Sequence, residues 1–217
     1  MTIGQEYWHS EPLGANPTMN RQLLISSYRR FIVYLRRYIQ IFKTLFFTND
    51  INRWNKVALE THKWDERNKI IASYIPSGVS VLDIGAGEQT LQKYLNDTEY
   101  VPCDIVQRSE NILFCDLNKS IFPNINKRFD YVVCSGVFEY LIDAANVLRK
   151  LHELGDIIIL SYAPFYKGDS KIIRVTNGWK NHFTKTEFEN LFSNSDLTWQ
   201  ILGLWKDQYI YLLRKAK

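Results

Sequence analysis

The sequence predicts an open α/β sheet of seven strands, mostly parallel, closed by an antiparallel hairpin and preceded by a helical extension. Three observations carry this. Beyond residue 78, short apolar runs alternate with helical ones, the pattern of strands joined by right-handed crossovers. The first of these runs leads directly into Gly-Ala-Gly, a turn placed where a sheet of this kind binds ligands. The last two β-rich runs, LTWQILGLW and QYIYLLRK, are separated only by Lys206-Asp207, too tight for a crossover helix, so they form a hairpin at the sheet edge.

The extension comes first. Residues 12–49 contain no acidic residue yet carry Arg21, Arg29, Arg30, Arg36, Arg37 and Lys43. At about 100° per residue, Leu24, Tyr28, Phe31, Leu35, Tyr38, Phe42, Leu45 and Phe46 fall on one arc, with arginines on the opposite one. This is a basic amphipathic helix. It has three possible destinations: packing on its own domain or on a second copy in a homodimer, a membrane surface met by residues 20–47, or nucleic acid.

A second helical stretch runs from Ile51 to Tyr74, with Trp54, Val57, Ala58, Trp64 and Ile71 among its apolar positions, and Pro76-Ser77-Gly78 stops it. Strands follow near 79–84, 100–103, 111–115, 129–134 and 157–161, with helices near 89–96, 142–153 and 184–193. Between Asp104 and Asn111 too few residues remain for a helix, so that crossover is a loop or a single turn. Thr184-Lys-Thr-Glu187 is a capping box opening the last helix. The expected division is an extension over 1–50 and one domain over 51–217.

Composition narrows the function. The 217 residues, 46% hydrophobic, can bury one good core. No apolar run is long enough to span a membrane, and MTIGQEYWHSEPLG lacks the pattern of a signal peptide, which places the chain in the cytoplasm. Cys103, Cys115 and Cys134 show no CxxC spacing, so reduced core thiols are expected rather than disulfides or a metal site. Of the net charge of +4, residues 51–217 hold little, which argues against nucleic acid as a partner.

The stretch VLDIGAGEQT decides between ligands. Gly85 and Gly87 let the backbone turn sharply and lie against a ligand, and the following helix would present free N–H groups. A dinucleotide fingerprint would need a third glycine where Thr90 stands, and no Gly-Lys-Ser/Thr follows for a P-loop. Asp83 ahead of the turn would repel a pyrophosphate and attract a cationic group, so a cationic, phosphate-free cofactor fits better.

At this point the chain resembles the class I S-adenosylmethionine-dependent methyltransferases, whose first motif, Asp-x-Gly-x-Gly-x-Gly, is matched here by Asp83-Ile-Gly85-Ala86-Gly87-Glu-Gln89. The resemblance covers about Glu66 to Lys217 and implies their Rossmann-like sheet, with S-adenosylmethionine as cofactor and S-adenosylhomocysteine as product. By that resemblance Asp104, ending YVPCD, accepts from the ribose hydroxyls, and Ile105 lies on the adenine. Asp116, ending ILFCD, takes the adenine amino group beside the Leu117 N–H. In FDYVVCSGVFEYL, the Cys134 and Ser135 backbone borders the methionine part. Gln89 is where local departure from the family is expected. The run NGWKNHFTKTEFENLF is similar to methyltransferase-like proteins of methionine biosynthesis and to small methyltransferases of polysaccharide synthesis.

An acceptor hydroxyl needs a base. His182, between the fifth strand and the last helix, and Glu139, just past the fourth, are the candidates; His62 and His152 fall on helices and His9 in the tail. The segment from Tyr162 to Asn181 is expected to be a long loop forming the substrate wall, with Tyr162, Tyr166 and Trp179 as its rings. The expected function is therefore methyl transfer to a small molecule or glycan, at oxygen, with a lipid-linked saccharide at the inner membrane face as the sharper form. The alternatives are a non-catalytic binding or regulatory subunit that keeps the fold, and an RNA methyltransferase.

Overall fold

A computed structural model describes residues 17–57 and 61–216, with side chains from residue 25 onward except those of 57, 61 and 62. His9 and Ala58 lie outside the described residues, as do the side chains of Arg21, Leu24, Val57 and His62. The described residues form two units, one ending at Ile39 and one starting at Gln40.

The described part of the first unit is helical, residues 17–39 of α1 (Pro17–Phe46). There Tyr28, Phe31, Leu35 and Tyr38 stand exposed, as do Arg29, Arg30, Arg36 and Arg37. Among the described residues no helix is long and apolar enough to cross a membrane.

The second unit is built on seven strands: β1 (Ser80–Ile84), β2 (Glu99–Asp104), β3 (Leu113–Phe114), β4 (Phe129–Cys134), β5 (Gly155–Tyr162), β6 (Leu197–Trp205) and β7 (Gln208–Lys215). Their order is β3-β2-β1-β4-β5-β7-β6. The first five are parallel, and β7 runs antiparallel to both β5 and β6. Val81, Leu82, Val132, Val133, Ile158, Ile159 and Leu160 are fully buried, as expected for central strands covered on both faces. On one face α4 (Ala144–Leu154) lays down Val147, Leu148 and Leu151, joined by Phe188 and Phe192 of α6 (Lys185–Ser193). On the other, α3 (Asp65–Ala72) contributes Ile71 and Ala72. Asp143 caps α4 by accepting from the Asn146 N–H at 2.9 Å, and the Thr184–Glu187 capping box is formed.

The structure revises four expectations. The stretch 51–74 is not one helix but α2 (Ile51–Val57), a 3₁₀ turn Thr61–Trp64 and α3. The helix expected at 89–96 is a single 3₁₀ turn, Thr90–Tyr94, because Gln89 is left-handed and Leu95 already extended. β3 is only two residues long, and the β2–β3 crossover carries no helix, as its length requires. The expected loop 162–181 holds a short helix, α5 (Lys171–Thr176), capped by Ser170. All three cysteines are free and buried.

Candidate active site

The strand order switches direction between β1 and β4, and the crevice at their carboxyl ends is the cavity of interest. Gly85 (φ +77°) and Gly87 (φ +54°) turn the chain through the left-handed region at its floor, where a side chain would be strained. A Cβ on Gly85 would stand 2.4 Å from Val137. The turn's amides point inward rather than out: Gly85 and Ala86 donate to the Cys103 carbonyl at 2.8 and 3.1 Å, and Gly87 to Asp104 Oδ2 at 2.9 Å. The missing Cβ of Gly85 thus makes room for Val137, and it is Gly87 that leaves open space at the turn. Gln89, standing where the family motif has its third glycine, keeps a left-handed backbone (φ +57°) and accepts from Asn111 Nδ2 at 2.9 Å.

Asp83, buried, accepts from the Tyr100 hydroxyl at 2.6 Å. Burial pushes its carboxyl up to about 6; the Tyr100 bond works against this, the Asp104 charge adds to it and Arg67 opposes it. Asp104 also accepts from the Val106 N–H at 2.8 Å and pairs with Arg108 at 3.2 Å. Arg108 reaches Glu88 at 3.2 Å and the Trp54 carbonyl at 2.9 Å, so it ties the glycine turn and α2 to the end of β2. Asp116 is 2% exposed, and its Oδ1 has no partner. Ile105 and Leu117 complete this end.

Beyond β4, Ser135 and Glu139 line the same cavity. Glu139 is 1% exposed; Oε1 accepts from the Ala163 N–H at 2.9 Å and from Gln208 Nε2 at 3.3 Å, while Oε2 is unpartnered. Burial raises its pKa, opposed by backbone hydrogen bonds and then by Arg67 and Arg174. Arg67 Nη1 donates to Gln208 Oε1 at 2.8 Å, so Gln208 joins a buried guanidinium to a buried carboxyl.

The roof is the chain between α1 and α2. Asn49 donates to Asp116 Oδ2 at 2.6 Å, and Asn118 donates to the Thr48 carbonyl at 3.1 Å and to that of Tyr140 at 2.9 Å. The Lys180 ammonium donates to the carbonyls of Thr44 and Phe47 at the end of α1, where the helix dipole favours a cation.

The structure does not bring every expected residue here. Cys134 is not among the lining residues, and its side chain packs into the core, while Ser135, the next along the chain, lines the cavity. Tyr162 is the last residue of β5, fully buried, stacked on Phe188 at 3.9 Å and hydrogen bonded to Asn181, so it is core and not substrate wall. Tyr166 and His182 are not among the lining residues; Trp179 is. His182 stands 6.1 Å from the Phe165 ring, and burial, then Arg174 and Lys171, lower its pKa. It stands beside the last helix's cap rather than among the residues that line the cavity.

The family of the methionine biosynthesis protein MetW matches residues 65–189, more than half of the chain. The chain belongs to the MetW family. Its sheet is that of the class I S-adenosylmethionine-dependent methyltransferases. No curated protein matches it significantly. Among solved structures, the plantazolicin methyltransferase BamL, in complex with a triazolic desmethylPZN analog and S-adenosylhomocysteine, is 13% identical with a TM-score of 0.57, over 87% of this chain and 99% of that one. The 1,6-didemethyltoxoflavin-N1-methyltransferase of Burkholderia thailandensis, with 1,6-didemethyltoxoflavin and S-adenosylhomocysteine bound, is 16% identical with the same TM-score, over 83% and 89%. At such identities the likeness is one of fold. Within this MetW-family chain the residues suit the cofactor on their own terms. The buried Asp116 Oδ1, without a partner among the described residues, is an acceptor free for a donor, and the bare Gly87 leaves open space at the floor. Sequence reading missed Arg67, Arg108, Lys180, Gln208 and the roof, which carry no motif.

Proposed function

We propose that Asp104 receives the ribose hydroxyls, Asp116 the adenine amino group and the Asp83 side of the glycine turn the methionine end, and that the methyl group passes to an oxygen of a small-molecule or glycan acceptor. The observation that carries this is the convergence of three buried carboxylates and the glycine turn on one cavity. The cofactor supplies an electrophilic methyl group on a sulfonium. The protein's task is to hold the acceptor in line, about 3 Å away, and to exclude water. Glu139 is the base: it lines the cavity, it keeps one oxygen free, and its raised pKa gives it affinity for a proton. Small-molecule acceptors are in keeping with the compounds bound in the two structural relatives. We take residues 51–217 as the catalytic domain and 1–50 as an extension whose last residues roof the site.

Titration calorimetry decides the cofactor assignment. S-adenosylmethionine and S-adenosylhomocysteine should both bind, with dissociation constants of about 1 µM to 1 mM, the usual range of enzyme substrate affinities. Asp104→Ala should weaken both about tenfold or more. Binding of neither ligand by the intact protein would sink the enzyme reading.

The finer form places the acceptor on a lipid, with the chain peripheral at the cytoplasmic face of the membrane. Its support is the exposed, acid-free stripe of α1 with Arg29, Arg30, Arg36 and Arg37 beside aromatic rings. Full-length protein should cosediment with phosphatidylglycerol vesicles and not with phosphatidylcholine ones. Reversing the four arginines to glutamate should weaken this by more than about tenfold, at about 1 kcal/mol per charge. Equal behaviour of the two proteins, or a light-scattering mass of a dimer with no vesicle binding, would assign the stripe to a second copy instead.

A further inference from the structure

Positive charge in the cavity is balanced everywhere but at one place. Lys43 pairs with Asp50 at 3.7 Å, Arg108 with Glu88 and Asp104, and Arg67 faces the charges of Glu139 and Asp83. Among the described residues Arg53 and Lys180 have no such counterpart. Arg53 lies along the bare Cα of Gly178, where a Cβ would stand 3.1 Å from its Nη1. That nitrogen donates to the Thr176 carbonyl at 3.4 Å, and among the described residues the Nε is buried without a partner. Lys180 donates to two carbonyls, and burial lowers its pKa with no carboxylate opposing the shift. Among the described residues neither cation has an acidic partner within the 4.0 Å of an ion pair. Carbonyl oxygens solvate a cation but do not neutralise it, so a partly desolvated guanidinium left this way is a standing cost unless a ligand brings the charge.

The same region is walled by rings. Trp54 meets Tyr140 edge-on at 4.5 Å, Arg53 lies 5.9 Å from the Trp54 ring, and the Tyr140 hydroxyl feels both Arg53 and Trp179. All of these residues line the cavity that holds Glu139. We propose that the methyl acceptor carries an anionic group, a carboxylate or a phosphate, which takes its counter-charge from Arg53 and Lys180 while Trp54, Tyr140 and Trp179 flank its body. The planar fork of an arginine suits either anion, and the aromatic wall suits a ring. The proposal rests on the methyl-transfer reading for what the subsite serves, but its binding test does not.

Full-length protein, with and without S-adenosylhomocysteine, would be titrated at constant ionic strength with sodium benzoate, sodium phosphate and sodium pyrophosphate, and with benzamide as the neutral counterpart of benzoate. Tryptophan fluorescence reads the site through Trp54 and Trp179. A saturable change is expected with at least one anion and not with benzamide, and the anion that saturates says whether the group is a carboxylate or a phosphate. Arg53→Gln should weaken that binding by about tenfold or more, and Arg53→Lys, which keeps the charge without the fork, should recover only part of it. Lys180→Gln, at the second cation, should weaken it in the same sense. No saturation by any anion, or equal affinity in the wild type and Arg53→Gln, would overturn the proposal. Failure of the nucleoside to bind would overturn the methyl-transfer reading alone, since the titration without nucleoside still decides this one.

Discussion

Replacing Arg67 by methionine should lower the melting temperature by roughly 6–12 °C, the effect of losing about 3 kcal/mol in a protein of this size. Arg67 is 7% exposed, donates to Gln208, and sits in the field of Glu139 and Asp83. Burial lowers its own pKa to about 10, with those two carboxylates working in the opposite direction. Removing the guanidinium leaves Asp83 without its cation and Glu139 with Arg174 alone, and takes from Gln208 Oε1 the shorter of its two donors. The cost is then that of a broken buried pair, larger than the net value of the pair itself. Differential scanning calorimetry of Arg67→Met and of Arg67→Met/Glu139→Gln distinguishes the network from simple packing. The second change should restore about half of the loss. Strict additivity of the two would mean that Arg67 and Glu139 do not act as a unit.

Asp83→Asn should do the reverse at alkaline pH. The folded carboxyl, pushed up to about 6, holds a proton more tightly than the unfolded one, which titrates near 3.9. The stabilisation from that proton is complete below about pH 4 and is lost as pH rises through 6. At pH 8 the wild type therefore carries an ionised, buried group at a cost of about 2–3 kcal/mol, and asparagine, a neutral mimic, removes it. The variant should melt several degrees above the wild type at pH 8 and level with it near pH 4. S-adenosylmethionine affinity should move the other way, falling about tenfold or more at pH 8, because the cationic end of the ligand loses its carboxylate. In the wild type that affinity should rise between pH 5 and 7. A variant less stable than the wild type at pH 8 would show that Asp83 is held for the fold and not for the ligand.

The sheet was legible because its information is local. LTWQILGLW and QYIYLLRK coincide with β6 and β7, since the two-residue turn at Lys206-Asp207 leaves one way to pair them. The short span between Asp104 and Asn111 ruled out a helix by length alone. The ends of β1 and β2 placed Asp83 and Asp104 in the cavity because strand ends bring their residues to one edge. The rest depends on partners far along the chain. Arg67 meets Gln208 across 141 residues, and Lys180 meets Thr44 across 136. Neither contact has a period or a motif. Tyr162 misled because β5 runs on to include it, so the strand's last residue points into the core instead of opening the loop. α5 was hidden by its length: six residues between Gly168 and Gly178, with Ile172 and Ile173 exposed, present no apolar stripe.

The roof has a thermodynamic character of its own. Residues 47–49 are held by side chains that donate to carbonyls and to one carboxylate, while Phe47 itself is 55% exposed, so little apolar surface is lost when they lift. Segments secured this way open locally at a small fraction of the global unfolding free energy. Lifting these few residues would leave the sheet, both cores and the carboxylates assembled. Opening of the roof is thereby separated from the stability of the fold.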